Sequence, residues 1–240
     1  QNHPEFRNYC PNVLAYDLSF LNYARVPEIL DMVEQVIGTN FALWNSSFFA
    51  KPALDGQATP WHQDGEYWPI RPPATCTVWM AIDDATVDNG CLRFIPGSHK
   101  VGDVYAEGVH ETIPTSGDNR SGENWGIPGT EVPSLILETE PGDLVVFNHR
   151  IKHASFGGGT RRRMFTINLQ QRFRDEDEHL LSECIGSLAG FWYERVYSPL
   201  MLETADADRM RHLEQRLAHA DHLPGLVTEA RQKMKEPNRF

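Results

Sequence analysis

The stretch TVWMAIDDATVDNGCLRFIPGSHK, from Thr77 to Lys100, decides the fold. An apolar run rich in Val, Trp and Ile is cut by Asp88-Asn89-Gly90, resumes from Cys91 to Ile95, and stops at Pro96-Gly97. Short β-branched and aromatic runs between turn residues read as strands, because a helix needs a longer apolar stripe at 3.6-residue spacing. Working outward, the same grammar covers the middle of the chain. Phe41 to Lys51, Thr75 to Ile82, Leu135 to Glu138, Leu144 to Asn148 and Arg162 to Gln170 all read as strands. Pro141-Gly142-Asp143 punctuates two of them, and Gly157-Gly158-Gly159 can supply a tight reversal.

Both ends of the chain are helical in pattern. Val26 to Ile37 opens with Pro27 at a first helical position, repeats Ile29, Leu30, Val33 and Ile37, and stops at Gly38. Ser198-Pro199 starts another helix, and Met210, Leu213 and Leu217 form the packing stripe of a later one. The expected architecture is mainly β, a double-stranded β-helix (a cupin-like jelly-roll) core with flanking α-helices. We expect one domain: a helical part over 1–40, a core over 41–170 and a helical part over 171–240. Residues 101–134, rich in Gly, Ser and Asn, read as a lid inserted in that core.

Charge and cysteine content exclude some partners. With 22 Lys and Arg against 33 Asp and Glu, the net charge is −11, and no basic run could track phosphates, so neither nucleic acid nor an anionic membrane is expected. The four cysteines form no C-x-x-C pair, which argues against a thiolate zinc site and for a reducing compartment; the cytoplasm is the expectation. No run of about 18 apolar residues offers a membrane span. The sequence opens at Gln1, and its natural start is expected to lie further upstream.

The chemistry sits in WHQDGEYWPIRP and PGDLVVFNHRIKHAS. On a strand, His62 and Asp64 share a face while Gln63 takes the other. His153 follows His62 by 91 residues, a reasonable gap across a β-rich barrel. Two neutral imidazoles and one carboxylate on one face suit a non-haem iron(II), and three ligands leave three coordination positions open. His149, four residues before His153, competes with it for the third place. His99 reads as part of a turn, and His110, His212, His219 and His222 as surface.

These stretches, with TVWMAIDDATVDNGCLRFIPGSHK between them, resemble the phytanoyl-CoA dioxygenase family from about Asn22 to Leu169. The resemblance implies iron(II), 2-oxoglutarate and O2 as cofactor and co-substrates, with iron held by His62, Asp64 and His153. It implies an arginine for the distal carboxylate of 2-oxoglutarate: Arg162 is the match, with Arg161 and Arg163 as alternatives because the preceding hairpin is shorter than usual. Ser155 falls where the family offers a hydroxyl to the co-substrate, Trp79 where an aromatic lines its pocket, and Asn45 where relatives place a polar group. A family lysine that touches the co-substrate falls near the start of this sequence, with no residue assigned to it.

The implied reaction is hydroxylation of an unactivated C–H bond of a small-molecule substrate, with release of succinate and CO2. Asp64 favours this over halogenation, which in related enzymes goes with a small residue there; desaturation and ring formation are the open alternatives. A cupin-like protein that binds metal or ligand without catalysis is the rival. A zinc hydrolase is a weaker one, since no H-E-x-x-H setting is present. Candidate substrate contacts are Trp61, Tyr67, Trp68 and Trp125, with Arg71 for an anionic substrate or a structural ion pair.

Overall fold

A computed structural model describes residues 8–53, 56–67, 74–100, 123–124 and 127–235. Trp68, Arg71, His110, Trp125 and most of the expected lid lie outside the described residues, as does the side chain of Tyr67. In chain order the strands are β1 (Tyr9–Pro11), β2 (Phe41–Lys51), β3 (Thr59–His62), β4 (Thr75–Ala81), β5 (Leu92–Phe94), β6 (Glu123–Asn124), β7 (Ile127–Pro128), β8 (Leu135–Leu137), β9 (Leu144–Asn148), β10 (His153–Ser155) and β11 (Arg162–Gln171). The helices are α1 (Leu18–Tyr23), α2 (Pro27–Ile37), α3 (Glu178–Ser187), α4 (Pro199–Glu203), α5 (Ala207–Met210), α6 (Glu214–Ala218) and α7 (Leu223–Lys233).

One sheet runs β1-β2-β11-β4-β9 and the other β3-β10-β5-β8, while β6 and β7 pair separately. From β2 onward the strands of the two main sheets alternate between them as far as β5, then from β8 retrace the same alternation in reverse. Neighbours are therefore nested pairs: β5 with β8, β4 with β9, β3 with β10 and β2 with β11. A paired ribbon folded over in this way is a jelly-roll. Of these eight nested strands, β3 and β10 are absent from the runs read as strands in the sequence. Each is only three or four residues long, too short to display a period.

The chain divides into two compact units, one of residues 1–11, 47–67 and 77–166, the other of 12–46, 68–76 and 167–240. β2, β4 and β11 each begin in one and end in the other. The first unit is built on a cluster of Trp79, Ala81, Ala85, Cys91, Leu92, Phe94 and Phe147, to which both sheets contribute. A smaller cluster joins Trp61, Val132, Ala154 and Phe156. Asp88 O accepts from Gly158 N at 2.9 Å and Gly159 N at 3.1 Å, so the triple glycine is a reversal tied to the Asp88-Asn89-Gly90 turn.

In the second unit, α2 buries Ile29, Val33 and Ile37, one helical face at i, i+4 and i+8. It ends where Gly38, at φ +83°, donates to Glu34 O. Ser198 caps α4, its hydroxyl accepting from Met201 N at 3.3 Å. Arg216 is fully buried; it donates to Leu43 O at 3.0 Å and to Trp44 O, and lies 4.1 Å over the Trp44 ring. Tyr197 donates to the same Leu43 carbonyl at 2.6 Å.

Two expectations are corrected in this unit. The stripe of Met210, Leu213 and Leu217 spans a break between α5 and α6 rather than one helix. His212, expected at the surface, is buried: its Nδ1 bonds Phe41 O at 2.7 Å and its ring stacks on Phe41 at 4.0 Å. A backbone carbonyl satisfies the ring nitrogen, which is what lets a histidine go inside. All four cysteines are free, and no helix among the described residues is long and apolar enough to cross a membrane.

Candidate active site

β3 and β10 pair antiparallel with His62 directly opposite His153, and β10 pairs on its other side with β5, placing Phe94 opposite His153. Sheet register thus joins two histidines that are far apart in sequence, with ring centroids 4.2 Å apart. Each ring is oriented by its own strand. His62 Nδ1 lies 2.8 Å from Pro60 O, and His153 Nδ1 lies 3.0 Å from Ile151 O. A carbonyl only accepts, so Nδ1 carries the proton in both rings and Nε2 presents a lone pair.

Those two Nε2 atoms lie 3.6 and 3.5 Å from Asp64 Oδ1, too far for hydrogen bonds. The donor atoms of His62, Asp64 and His153 all lie within 4.8 Å of one another. Ligand bonds of roughly 2.1 Å place adjacent donors about 3 Å apart around an ion, so this spacing fits a single metal. Two neutral imidazoles and one carboxylate are the donor set that suits iron(II).

The expected reason for this convergence is corrected in part. His-x-Asp is not one continuous strand: β3 ends at His62, and Asp64 begins a 3-10 turn over Asp64–Tyr67. Gln63, the residue between them, helps to anchor the motif. It is buried, and its amide donates to Arg150 O, while Gly65 N donates to His149 O at 3.0 Å. The motif is therefore held by the loop that leads into β10. Thr77, which the sequence reading overlooked, donates to Asp64 Oδ2 at 2.8 Å and leaves Oδ1 facing the imidazoles. Its signal was a hydroxyl set within the otherwise apolar run from Cys76 to Ala81.

Burial alone would raise the Asp64 carboxyl, but His153, His62 and His149 outweigh it and hold the group well below the usual carboxylate range. Burial, then the neighbouring His62, pushes the His153 imidazole down to about 4, so it is neutral near pH 7 and able to ligate. Phe147 and Phe94 wall the His153 ring at centroid distances of 5.0 and 6.0 Å. His149 is buried beside the cluster but is not a member of it.

Ser155 ends β10, two residues beyond His153. Its hydroxyl donates to Gly90 O at 2.6 Å, and Arg162 Nη1 donates to the same carbonyl. Arg162 is buried, with its guanidinium carbon 5.9 Å from the Trp79 ring centroid. Its two neighbours behave differently: Arg163 grips Asp83 with Nε at 2.9 Å and Nη2 at 2.7 Å, and Arg161 is exposed with Nε 3.8 Å from Asp83. Strand alternation therefore leaves Arg162 as the inward one of the three. Among the described residues, buried Arg162 Nε and Trp79 Nε1 have no hydrogen-bond partner. Orphaned donors of this kind are what an arriving carboxylate would satisfy. Asn45 lies in the second unit, where its side-chain oxygen accepts from Asn168 at 2.6 Å.

One further cation has no place in the sequence reading. Lys51, at the end of β2, is buried and donates to Ser155 Oγ at 3.0 Å, Ser155 O at 3.2 Å and Gly157 O at 3.3 Å. Among the described residues no carboxylate pairs with Lys51 or Arg162.

A jelly-roll carrying two histidines and one carboxylate at the mouth of its paired strands defines a class of proteins with a single-ion site. The chain belongs to the phytanoyl-CoA dioxygenase (PhyH) family, whose model matches residues 4–164. It is 31% identical over 174 residues to a probable phytanoyl-CoA dioxygenase of Caenorhabditis elegans, covering 68% of this chain and 53% of that protein. Phytanoyl-CoA dioxygenase 1 of Oryza sativa subsp. japonica is 37% identical over 109 residues, covering 45% and 36%. The chain thus spans about half, or less, of the length of these relatives.

Among solved structures, the non-heme monooxygenase ThoJ matches with a TM-score of 0.56 at 24% identity, over 71% of this chain and 62% of that one. EvdO2 from Micromonospora carbonacea var. aurantiaca, complexed with 2-oxoglutarate, matches with a TM-score of 0.52 at 24% identity, over 68% and 66%. These likenesses place the fold.

Proposed function

We propose that the protein is an iron(II)- and 2-oxoglutarate-dependent dioxygenase that hydroxylates an unactivated C–H bond of a small-molecule metabolite. The observation that carries this reading is a distance along one strand. Ser155, where Arg162 and Lys51 gather, lies two residues past His153, about 6–7 Å along β10. A five-carbon diacid spans such a gap, with its keto acid end at the metal and its far carboxylate at the cations.

His62, Asp64 and His153 would hold the iron, leaving positions for a chelating co-substrate and for O2. Bound iron with 2-oxoglutarate supplies the oxidising power: O2 is split, one oxygen atom entering succinate as CO2 leaves and the other entering the substrate as hydroxyl. The chain's own residues do the positioning. Arg162 and Ser155 would orient the far carboxylate, Trp79 would line its side, and Thr77 sets which Asp64 oxygen faces the metal. Phe94 and Phe147 keep water from the His153 ring. The absence of a basic strip for the phosphates of an acyl-CoA favours a small polar or secondary metabolite as substrate.

The test is succinate release from 2-oxoglutarate under air with added iron(II), first without substrate and then against a metabolite panel. Wild type should turn over, and Asp64→Ala should fall to the no-enzyme background. Metal bound by wild type with no succinate under any condition would leave a non-catalytic, cupin-like binding protein in its place.

A further inference from the structure

Lys51 occupies a built position. A Cβ at Gly56 would come within 2.6 Å of Lys51 Cγ, and one at Gly90 within 2.7 Å of Lys51 Nζ. Gly90 also has φ +97°, a conformation L side chains rarely adopt. Two positions without side chains therefore make room for the lysine stem and its ammonium. The three acceptors around Nζ match the three protons of an ammonium, so none is left over for a ligand.

That saturation decides what Lys51 can do. Ser155 Oγ takes one hydrogen bond from Nζ and gives its single proton to Gly90 O at 2.6 Å, the carbonyl that Arg162 also meets. Because a charged lysine only donates, it cannot receive that proton. We propose that Lys51 is a positioning residue: by donating to Oγ it keeps the Ser155 hydroxyl a donor on the Gly90 side, beside Arg162, from where it turns from Gly90 O to the far carboxylate of the co-substrate. This rests on the 2-oxoglutarate reading given above. Donation from an ammonium also polarises the hydroxyl and strengthens the bond it makes next.

Buried cations without anions are costly, and among the described residues no carboxylate offsets the cost here. Burial first, then the Arg162 charge, lowers the Lys51 ammonium to about 8. The titratable and charged groups facing it among the described residues are Arg162, itself lowered to about 10 by burial, and the Cys91 thiol, which burial raises. Asp88, on the adjoining turn, is exposed. The sign follows: Lys51 is a pure donor below about pH 8 and loses that role as pH rises through it. A neutral amine can accept the Ser155 proton, which turns the hydroxyl inward.

The experiment is calorimetric titration of 2-oxoglutarate into protein loaded with manganese(II), which reads binding without turnover. Lys51→Met should raise the co-substrate Kd about five- to tenfold, the worth of one hydrogen bond, with metal stoichiometry unchanged. In a Ser155→Ala background the same change should do almost nothing. Full additivity of the two would overturn the proposal, because Lys51 would then act on the co-substrate without Ser155. An unchanged Kd in Lys51→Met would overturn it too.

The wild type gives a second arm that needs no lysine variant. Its Kd should rise between pH 7 and 9, and Ser155→Ala should be flat over that window; equal slopes in both would sink the idea. Failure of metal-loaded wild type to bind 2-oxoglutarate at any pH is a different result. It would remove the co-substrate reading and this inference with it.

Discussion

At the metal end of the candidate site, two imidazoles meet one carboxylate; two residues further along β10, two cations meet and no described carboxylate joins them. The first group sets one carboxylate of its own against a divalent ion and so meets half of its charge. The second is balanced only by something from outside. Their supports differ as well. The imidazoles are oriented by the carbonyls of their own strands, at Pro60 and Ile151. Lys51, Ser155 and Arg162 come from three strands and are gathered by the turn at Gly90. The first arrangement suits permanent occupancy, and the second suits a ligand that is bound and consumed in each cycle.

That contrast can be broken by experiment. The largest effect should come from Arg162→Ala, which ought to raise the co-substrate KM on the order of a hundredfold by leaving a carboxylate without its fork. Metal content, measured by elemental analysis, should stay at the wild-type level; loss of metal would mean the two ends are one unit. Thr77→Val should act the other way, weakening metal affinity about tenfold by freeing the second Asp64 oxygen. Competition with a chelator reads this, and an unchanged midpoint would remove Thr77 from the site. The smallest effect belongs to Arg163→Ala. Its ion pair with Asp83 lies at the surface, so co-substrate KM should match wild type. A raised KM there would reopen the choice among the three arginines.

How much of this was legible depends on distance along the chain. The donor set could be listed from the sequence because His-x-Asp is local and the G-D-to-His interval is short. The helix from Pro27 to Ile37 and the eleven residues of β2 were legible because both are long enough to show a period. Lys51 was not. A lysine closing a strand ordinarily reaches water, and only the approach of residues 56, 90, 155 and 157 turns it inward. His212 failed for the same reason, since its partner is the carbonyl of Phe41. Gly90 was read correctly as a turn, but a turn signal does not reveal that its carbonyl gathers two donors. The shared face of His62 and Asp64 was anticipated for the wrong cause, a strand where the chain makes a 3-10 turn.

The pairing of His62 with His153 has a consequence for the whole sheet. β3 has four residues and, among the described residues, is one of the two outer strands of the order β3-β10-β5-β8. An ion bound by His62 and His153 would bridge that strand to its neighbour, as a rivet fastens the last plank of a hull. Outermost strands are where sheets recruit strands from other molecules. The metal would then guard the protein against self-association as well as serve its chemistry, and loss of iron would loosen the border of the sheet before its centre.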